Sequence, residues 1–177
     1  MSEFLEVLDL SLQENLKTLA LGVQNFFVKN HFSLAVAESI TGGGFCSALT
    51  QNPGSSQYLK GGVVCYSPQA KISLVGILAK SIAEEGAVSK RVTEELAQGI
   101  RKRLKATVGL AITGVAGPDT GQYPNLGAPG DVWVVVSLPQ RDIVKDLHLS
   151  GNRAEIIQET IKISLRILLI ASKNLKS

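Results

Sequence analysis

The chain has 177 residues, 45% of them apolar and 19% charged, with a formal net charge of +3 and two cysteines. That length can bury a substantial core as one domain spanning 1–177, and the composition excludes a disordered chain or a disulfide scaffold. Basic residues are scattered, the densest run is Arg101-Lys102-Arg103 with Lys105 beyond it, and aromatic content is only 5%. These features favour a solvated helix face over a nucleic-acid platform, so direct nucleic-acid binding is not expected.

Cys46 and Cys65 lie in apolar surroundings without metal-ligand spacing and read as buried free thiols of a reducing compartment. Glu3, Glu6 and Asp9 are unlike a basic signal peptide, and Lys162 and Arg166 interrupt the apolar C-terminal run. A soluble cytoplasmic protein without a membrane span is therefore expected.

Leu5, Leu8, Leu12, Leu16, Leu19, Val23, Phe26 and Phe27 recur at helical spacing and predict a long first helix ending at Asn30-His31. A buried strand follows over Phe32 to Ala37. It runs into Glu38-Ser39-Ile40-Thr41-Gly42-Gly43-Gly44, a strand-to-helix turn, and a helix continues from Phe45. Asn52-Pro53-Gly54-Ser55-Ser56 is a turn, and Gly61 to Tyr66 is a second short strand. Ser67-Pro68 starts a helix as cap and first residue; it carries Lys71 and stops at Gly76. Lys80 to Glu85 reads as a short helix, and Ser89 caps a clear one bearing Val92, Leu96, Ile100 and Leu104. Thr107 to Ile112 is a third strand that ends in a second hydroxyl-glycine turn, Thr113-Gly114-Val115-Ala116-Gly117-Pro118. A Gly/Pro-rich loop runs from Asp119 to Gly130, a length that usually marks function or mobility. Val132 to Val136 and Ile143 to Leu149 form an antiparallel hairpin. Gly151-Asn152-Arg153 opens a last helix with Ile157, Ile161, Leu165 and Leu168 along one face.

Strands alternating with helices predict an α/β chain: three layers, with helices on both faces of a mostly parallel sheet that has one antiparallel strand. Ligands in such sheets bind beyond the carboxyl ends of the parallel strands. The segments from Ser39 to Gly44, Tyr66-Ser67 and Thr113 to Gly117 converge there. Helix N-terminal N–H groups at the first turn favour an anion or a developing oxyanion, and the glycines allow its close approach.

No metal set is present, since His31 and His148 have no acidic pair at a strand end, and a triad through a mid-strand His148 is not expected. Nucleophilic chemistry then requires a hydroxyl activated by Lys or Tyr. Ser39 is the best-placed hydroxyl, with Lys71 as proton acceptor and Tyr66 as relay. Spacing alone favours the plainer reading, in which Ser39 or Thr41 is only a helix cap and Lys71 a solvated lysine. The glycine turns lack the dinucleotide and P-loop patterns. Arg153, poorly placed for the dipole of the last helix, suits a bound phosphate.

In order, Ala37-Glu38-Ser39-Ile40-Thr41-Gly42-Gly43, Pro53 to Ser56, Gly61 to Val64 with Tyr66-Ser67, Lys71, Gly86 to Ser89 and Thr113 to Pro118 resemble the CinA C-terminal domain family, which includes the nicotinamide-nucleotide amidases. The resemblance covers nearly the whole chain, from about Leu5, in a stand-alone form. It implies a three-layer α/β/α sandwich with a mixed, mostly parallel five-stranded sheet, often oligomeric, and a cytoplasmic enzyme of pyridine-nucleotide salvage. The implied reaction hydrolyses nicotinamide mononucleotide (NMN) to nicotinic acid mononucleotide and ammonia, without metal or other cofactor.

By the same resemblance Ser39 matches the nucleophile, and Tyr66 and Lys71 the assisting positions. Thr41, Gly42 and Gly43, with Thr113, Gly114, Ala116 and Gly117, form the turns facing the substrate. Arg153 matches the Arg of the family's Gly-Asp-Arg, here Gly151-Asn152-Arg153. Two departures stand out: Gly127-Ala128-Pro129-Gly130-Asp131 replaces the family's Lys-Pro-Val-Gly-Thr, and Ile157 replaces a second Arg. They motivate the alternative of an inactive homologue that binds a nucleotide or a protein partner, linked to competence or DNA damage.

Overall fold

Alternation along the first and third strands sets the layers. The protein's structure is a computed structural model describing residues 15–118 and 127–175. Its helices are α1 (Leu16–Lys29), α2 (Gly44–Thr50), α3 (Pro68–Ala70), α4 (Ala79–Glu85), α5 (Lys90–Arg103) and α6 (Arg153–Lys173). Its strands are β1 (Leu34–Glu38), β2 (Leu59–Val64), β3 (Val108–Gly114), β4 (Asp131–Ser137) and β5 (Asp142–His148). Leu5, Leu8 and Leu12 of the predicted first helix lie outside the described residues, and so do residues 119–126 of the predicted loop.

The five strands lie in the order β2-β1-β3-β4-β5. β1 pairs in parallel with both β2 and β3, and β4 runs antiparallel to both β3 and β5. β4 is thus the one reversed strand of a mostly parallel mixed sheet, as expected. Even-numbered residues of β1 and β3, with Val132, Val134 and Val136 of β4, face the larger core. That core is closed by Phe27 of α1, Phe45 and Leu49 of α2, and Leu165 and Leu168 of α6. Odd-numbered residues, Ala35, Ala37 and Ala111, face the smaller core formed with Val92, Leu96 and Ile100 of α5 and Val75. Small side chains on that second face let α5 lie close. A Cβ built on Gly109 would sit 2.2 Å from the Ala97 carbonyl oxygen, so only glycine fits there.

The predicted caps form. The Ser67 hydroxyl accepts from Ala70 N at 3.1 Å, and the Ser89 hydroxyl from Val92 N at 3.3 Å. Asn152 and Glu155 make a reciprocal capping box at the start of α6. The helix after Ser67 departs from expectation. After a single α turn it widens into a π turn, Lys71–Val75, before Gly76 ends it at φ 83°. No helix among the described residues is long and apolar enough to cross a membrane.

Candidate active site at the carboxyl ends of the parallel strands

Ser39 continues the alternation of β1 onto the α5 face, the side from which the π turn delivers Lys71. Lys71 Nζ lies 3.0 Å from Ser39 Oγ and 2.8 Å from the Cys65 carbonyl oxygen. Both residues are buried, Lys71 at 1% exposure and Ser39 at 6%. The Ser39 backbone is held on both sides, its N–H by the Ile112 carbonyl and its carbonyl by Gly42 N. No carboxylate pairs with Lys71 among the described residues. Burial therefore lowers its pKa, against the weaker, opposing effect of Cys65. An amine deprived of water and of a counter-ion sheds its proton, and the resulting lone pair can accept the proton of Ser39.

The first turn is not the open anion site expected from the sequence. Glu38, one residue before Ser39, points to the opposite face and its carboxylate fills the N-terminus of α2. Glu38 Oε2 accepts from Thr41 Oγ1 at 2.7 Å and from the N–H groups of Gly43 and Phe45, both at 3.0 Å; Oε1 accepts from Cys46 N at 2.8 Å. Gly42 and Gly44 donate to carbonyls of the turn itself. Among the described residues, only the N–H groups of Ile40 and Thr41 in this turn lack a protein acceptor. The sequence shows a glutamate here, but nothing in its spacing reveals that it turns inward.

Tyr66, expected beside Ser39 as a relay, gives its hydroxyl to Arg153. Arg153 Nη2 donates to Tyr66 Oη at 3.0 Å, while Nη1 donates to the Gly117 carbonyl at 2.7 Å. This guanidinium thus ties the end of β2 to the turn after β3, through two uncharged acceptors. Ala116 and Gly117 line a cavity of about 540 Å³ together with Pro118, Pro129, Arg153 and Ile157. Thr113 does not open onto it. Its hydroxyl is buried 2.7 Å from that of Thr93, which in turn donates to the Ser89 carbonyl. Gly114 is packed between strands, with a built Cβ 2.7 Å from the Asp131 carbonyl oxygen. Gly42, at φ 57°, has open space where a side chain would be.

The thiols are not nucleophile candidates. Burial raises the pKa of Cys46, with the Glu38 charge adding to it, and burial likewise raises that of Cys65. His148 is not mid-strand and not without acidic partners, contrary to the sequence reading. It ends β5 opposite Asp131, with Nδ1 2.8 Å from Asp131 Oδ1 and Nε2 3.7 Å from Asp146 Oδ2. No cluster that could hold a metal occurs among the described residues.

Asp131 Oδ2 also accepts from Ala128 N, so the pair anchors the segment beside the cavity. The hydrogen bond to Asp131 raises the His148 pKa above its ordinary 6.5, and the same bond lowers Asp131 below its ordinary 3.8. The His148 contribution to stability is complete below 6.5 and is lost as pH rises through its raised folded pKa. The Asp131 contribution is complete above 3.8 and is lost as pH falls through its depressed one. The stability advantage of the wild type over His148→Gln should therefore shrink as pH rises past the His148 transition, whatever other groups titrate in the same range. A difference in melting temperature that does not change with pH would show the pair to be silent.

A family model described as the CinA C-terminal domain matches residues 16–171. The chain is 39% identical over 142 residues to a provisionally named competence-damage inducible protein of Bacillus velezensis, covering 80% of this chain and 33% of that one. It is 40% identical over 138 residues to a CinA-like protein of Thermosynechococcus vestitus, covering 77% of this chain and 32% of that one. The chain thus spans about a third of the length of these curated relatives. Among solved structures, the competence/damage inducible protein CihA of Agrobacterium tumefaciens superposes with a TM-score of 0.84 at 29% identity, covering 93% of this chain and 99% of that one. A competence damage-inducible protein A of Klebsiella pneumoniae shares the fold with a TM-score of 0.87 at 24% identity, covering 92% and 100%. A family match over residues 16–171, with the ordered turns at the strand ends, places this chain in the CinA C-terminal domain family.

Proposed function

We propose that the protein is an amidohydrolase that converts NMN and water to nicotinic acid mononucleotide and ammonia. The observation that carries this reading is the buried Ser39–Lys71 pair, a hydroxyl 3.0 Å from an amine whose pKa burial lowers. Neutral Lys71 takes the Ser39 proton while one of its own N–H groups stays on the Cys65 carbonyl. Ser39 Oγ attacks the carboxamide carbon, and the oxyanion meets the N–H groups of Ile40 and Thr41. As the C–N bond breaks, the Lys71 ammonium returns its proton to the departing nitrogen and ammonia leaves. Water then attacks the acyl-Ser39 ester as Lys71 takes one of its protons; the C–O bond to Ser39 breaks, Lys71 returns that proton to Ser39 Oγ, and the nicotinic acid product leaves.

Arg153 supplies the positive charge for the phosphate by exchanging its two neutral partners for an anion. The test is ammonia release from NMN by the purified protein; no turnover at high enzyme concentration rejects the substrate. Arg153→Ala should raise KM for NMN roughly 10- to 100-fold, as expected for loss of charge-assisted hydrogen bonds. It should leave hydrolysis of the phosphate-free nucleoside unchanged, and equal losses on both would remove Arg153 from phosphate binding.

The apolar Ile157 in the cavity wall supports a second reading, a homologue that binds a nucleotide without turnover. Thermal stabilisation by pyridine nucleotides with no ammonia release would favour it.

A further inference from the structure

We infer that Glu38 is the positioning residue of the Ser39 nucleophile, an internal anion that occupies the N-terminus of α2 and thereby fixes the turn carrying Ser39. The inference rests on the reading of Ser39 and Lys71 as the reacting pair. Strand alternation sends the two neighbours to opposite faces, Ser39 to Lys71 and Glu38 to α2. Glu38 is 1% exposed and receives four hydrogen bonds, so one carboxylate ties Thr41 and Gly43 of the turn to Phe45 and Cys46 of α2.

The backbone must reverse around that carboxylate, which Gly42 at φ 57° and Gly43 at φ 98° permit. Three N–H groups that a helix start would offer to a bound anion are consumed, and the site already holds a negative charge. A substrate phosphate is therefore excluded from this turn and left to Arg153. The Ile40 and Thr41 N–H groups, beside Ser39 and without a protein acceptor among the described residues, remain for an oxyanion. Glu38 touches no reacting atom, and it acts by keeping Ser39 Oγ aligned with Lys71.

The experiment measures labelling of Ser39 in the full chain by a fluorophosphonate. In that reaction the serine oxygen bonds phosphorus, fluoride leaves and the serine proton passes to Lys71. No NMN is needed. Glu38→Gln keeps the size but turns an NH₂ group toward backbone N–H donors. It should slow labelling, and kcat on NMN, by roughly 100-fold with KM nearly unchanged, the effect of misplacing a reacting group by about an ångström. Glu38→Ala vacates a carboxylate-sized space facing four donors. Sodium formate, compared with chloride at equal ionic strength, should raise its melting temperature and its labelling rate while leaving the wild type unaffected.

Labelling of Glu38→Gln at the wild-type rate overturns the inference, even if the variant melts lower. So does a folded Glu38→Ala whose labelling formate does not restore. If Glu38→Ala does not fold, Glu38→Gln decides alone. Wild-type protein that labels at Ser39 but releases no ammonia from NMN rejects the substrate and leaves the Glu38 assignment standing.

Discussion

Lys71→Met should reduce ammonia release from NMN by at least roughly 100-fold, the contribution of a positioned general base, and should also make the fold no less stable than the wild type. Both effects have one cause. Lys71 is 1% exposed, has no carboxylate partner among the described residues, and has its pKa lowered by burial. The unfolded chain therefore binds a proton at this position over a pH range where the folded chain does not. Stability consequently rises with pH between the depressed folded value and the ordinary 10.5, and below that window the lysine is a net cost. Met fills a similar volume without that cost. Activity needs the neutral amine, so the wild-type rate should climb with pH through the depressed pKa, and this limb should vanish with Lys71→Met. Ser39→Ala should match the loss of rate. Measuring kcat/KM against pH together with thermal melts checks all of this. A variant that retains most of its activity, or one that melts well below the wild type, would mean that Lys71 is a structural cation instead.

The second large effect falls on the fold. Gly109→Ala should destabilise the protein by about 3 kcal/mol or more, at the upper end of overpacking costs, and lower its melting temperature by roughly 6–12 °C for a chain of this size. The added Cβ would lie 2.2 Å from the Ala97 carbonyl oxygen and 2.6 Å from Arg101 Cβ. One neighbour is backbone, so relief requires moving α5 off the central strand β3. Gly22→Ala is the contrasting case. Gly22 sits within α1, and its built Cβ meets only Leu169 Cδ2 at 3.8 Å, an ordinary contact. Alanine there should stabilise the protein by up to about 1 kcal/mol through helix propensity. Denaturant unfolding of both variants tests the pair; equal effects would show that close approach of α5 is not what glycine at 109 provides.

These predictions divide between what one-dimensional pattern carries and what it does not. The strands, the caps at Ser67 and Ser89 and the single reversed strand follow from apolar periodicity and turn chemistry, which are local. The nearness of Ser39 to Lys71 follows less directly, from strand ends that face one way. Three features escaped that kind of reading. Asp131 and His148 are 17 residues apart and meet only through the β4–β5 register. The π turn at Lys71–Val75 has no compositional signature, yet it aims Lys71 inward. Glu38 looks like any charged residue at a strand end until the loop closes around it.

Periodicity, glycine turns and motif order are properties of short segments, so the three-layer architecture and the resemblance to the CinA C-terminal domain family are legible along the chain. Which groups are free to react follows only from the folded arrangement. Whether an N–H is spent on Glu38, whether a lysine is stripped of water and whether Tyr66 serves Ser39 or Arg153 depend on burial and on partners brought together from distant parts of the chain. Desolvation and hydrogen-bond competition act through space, and no spacing along the chain encodes them.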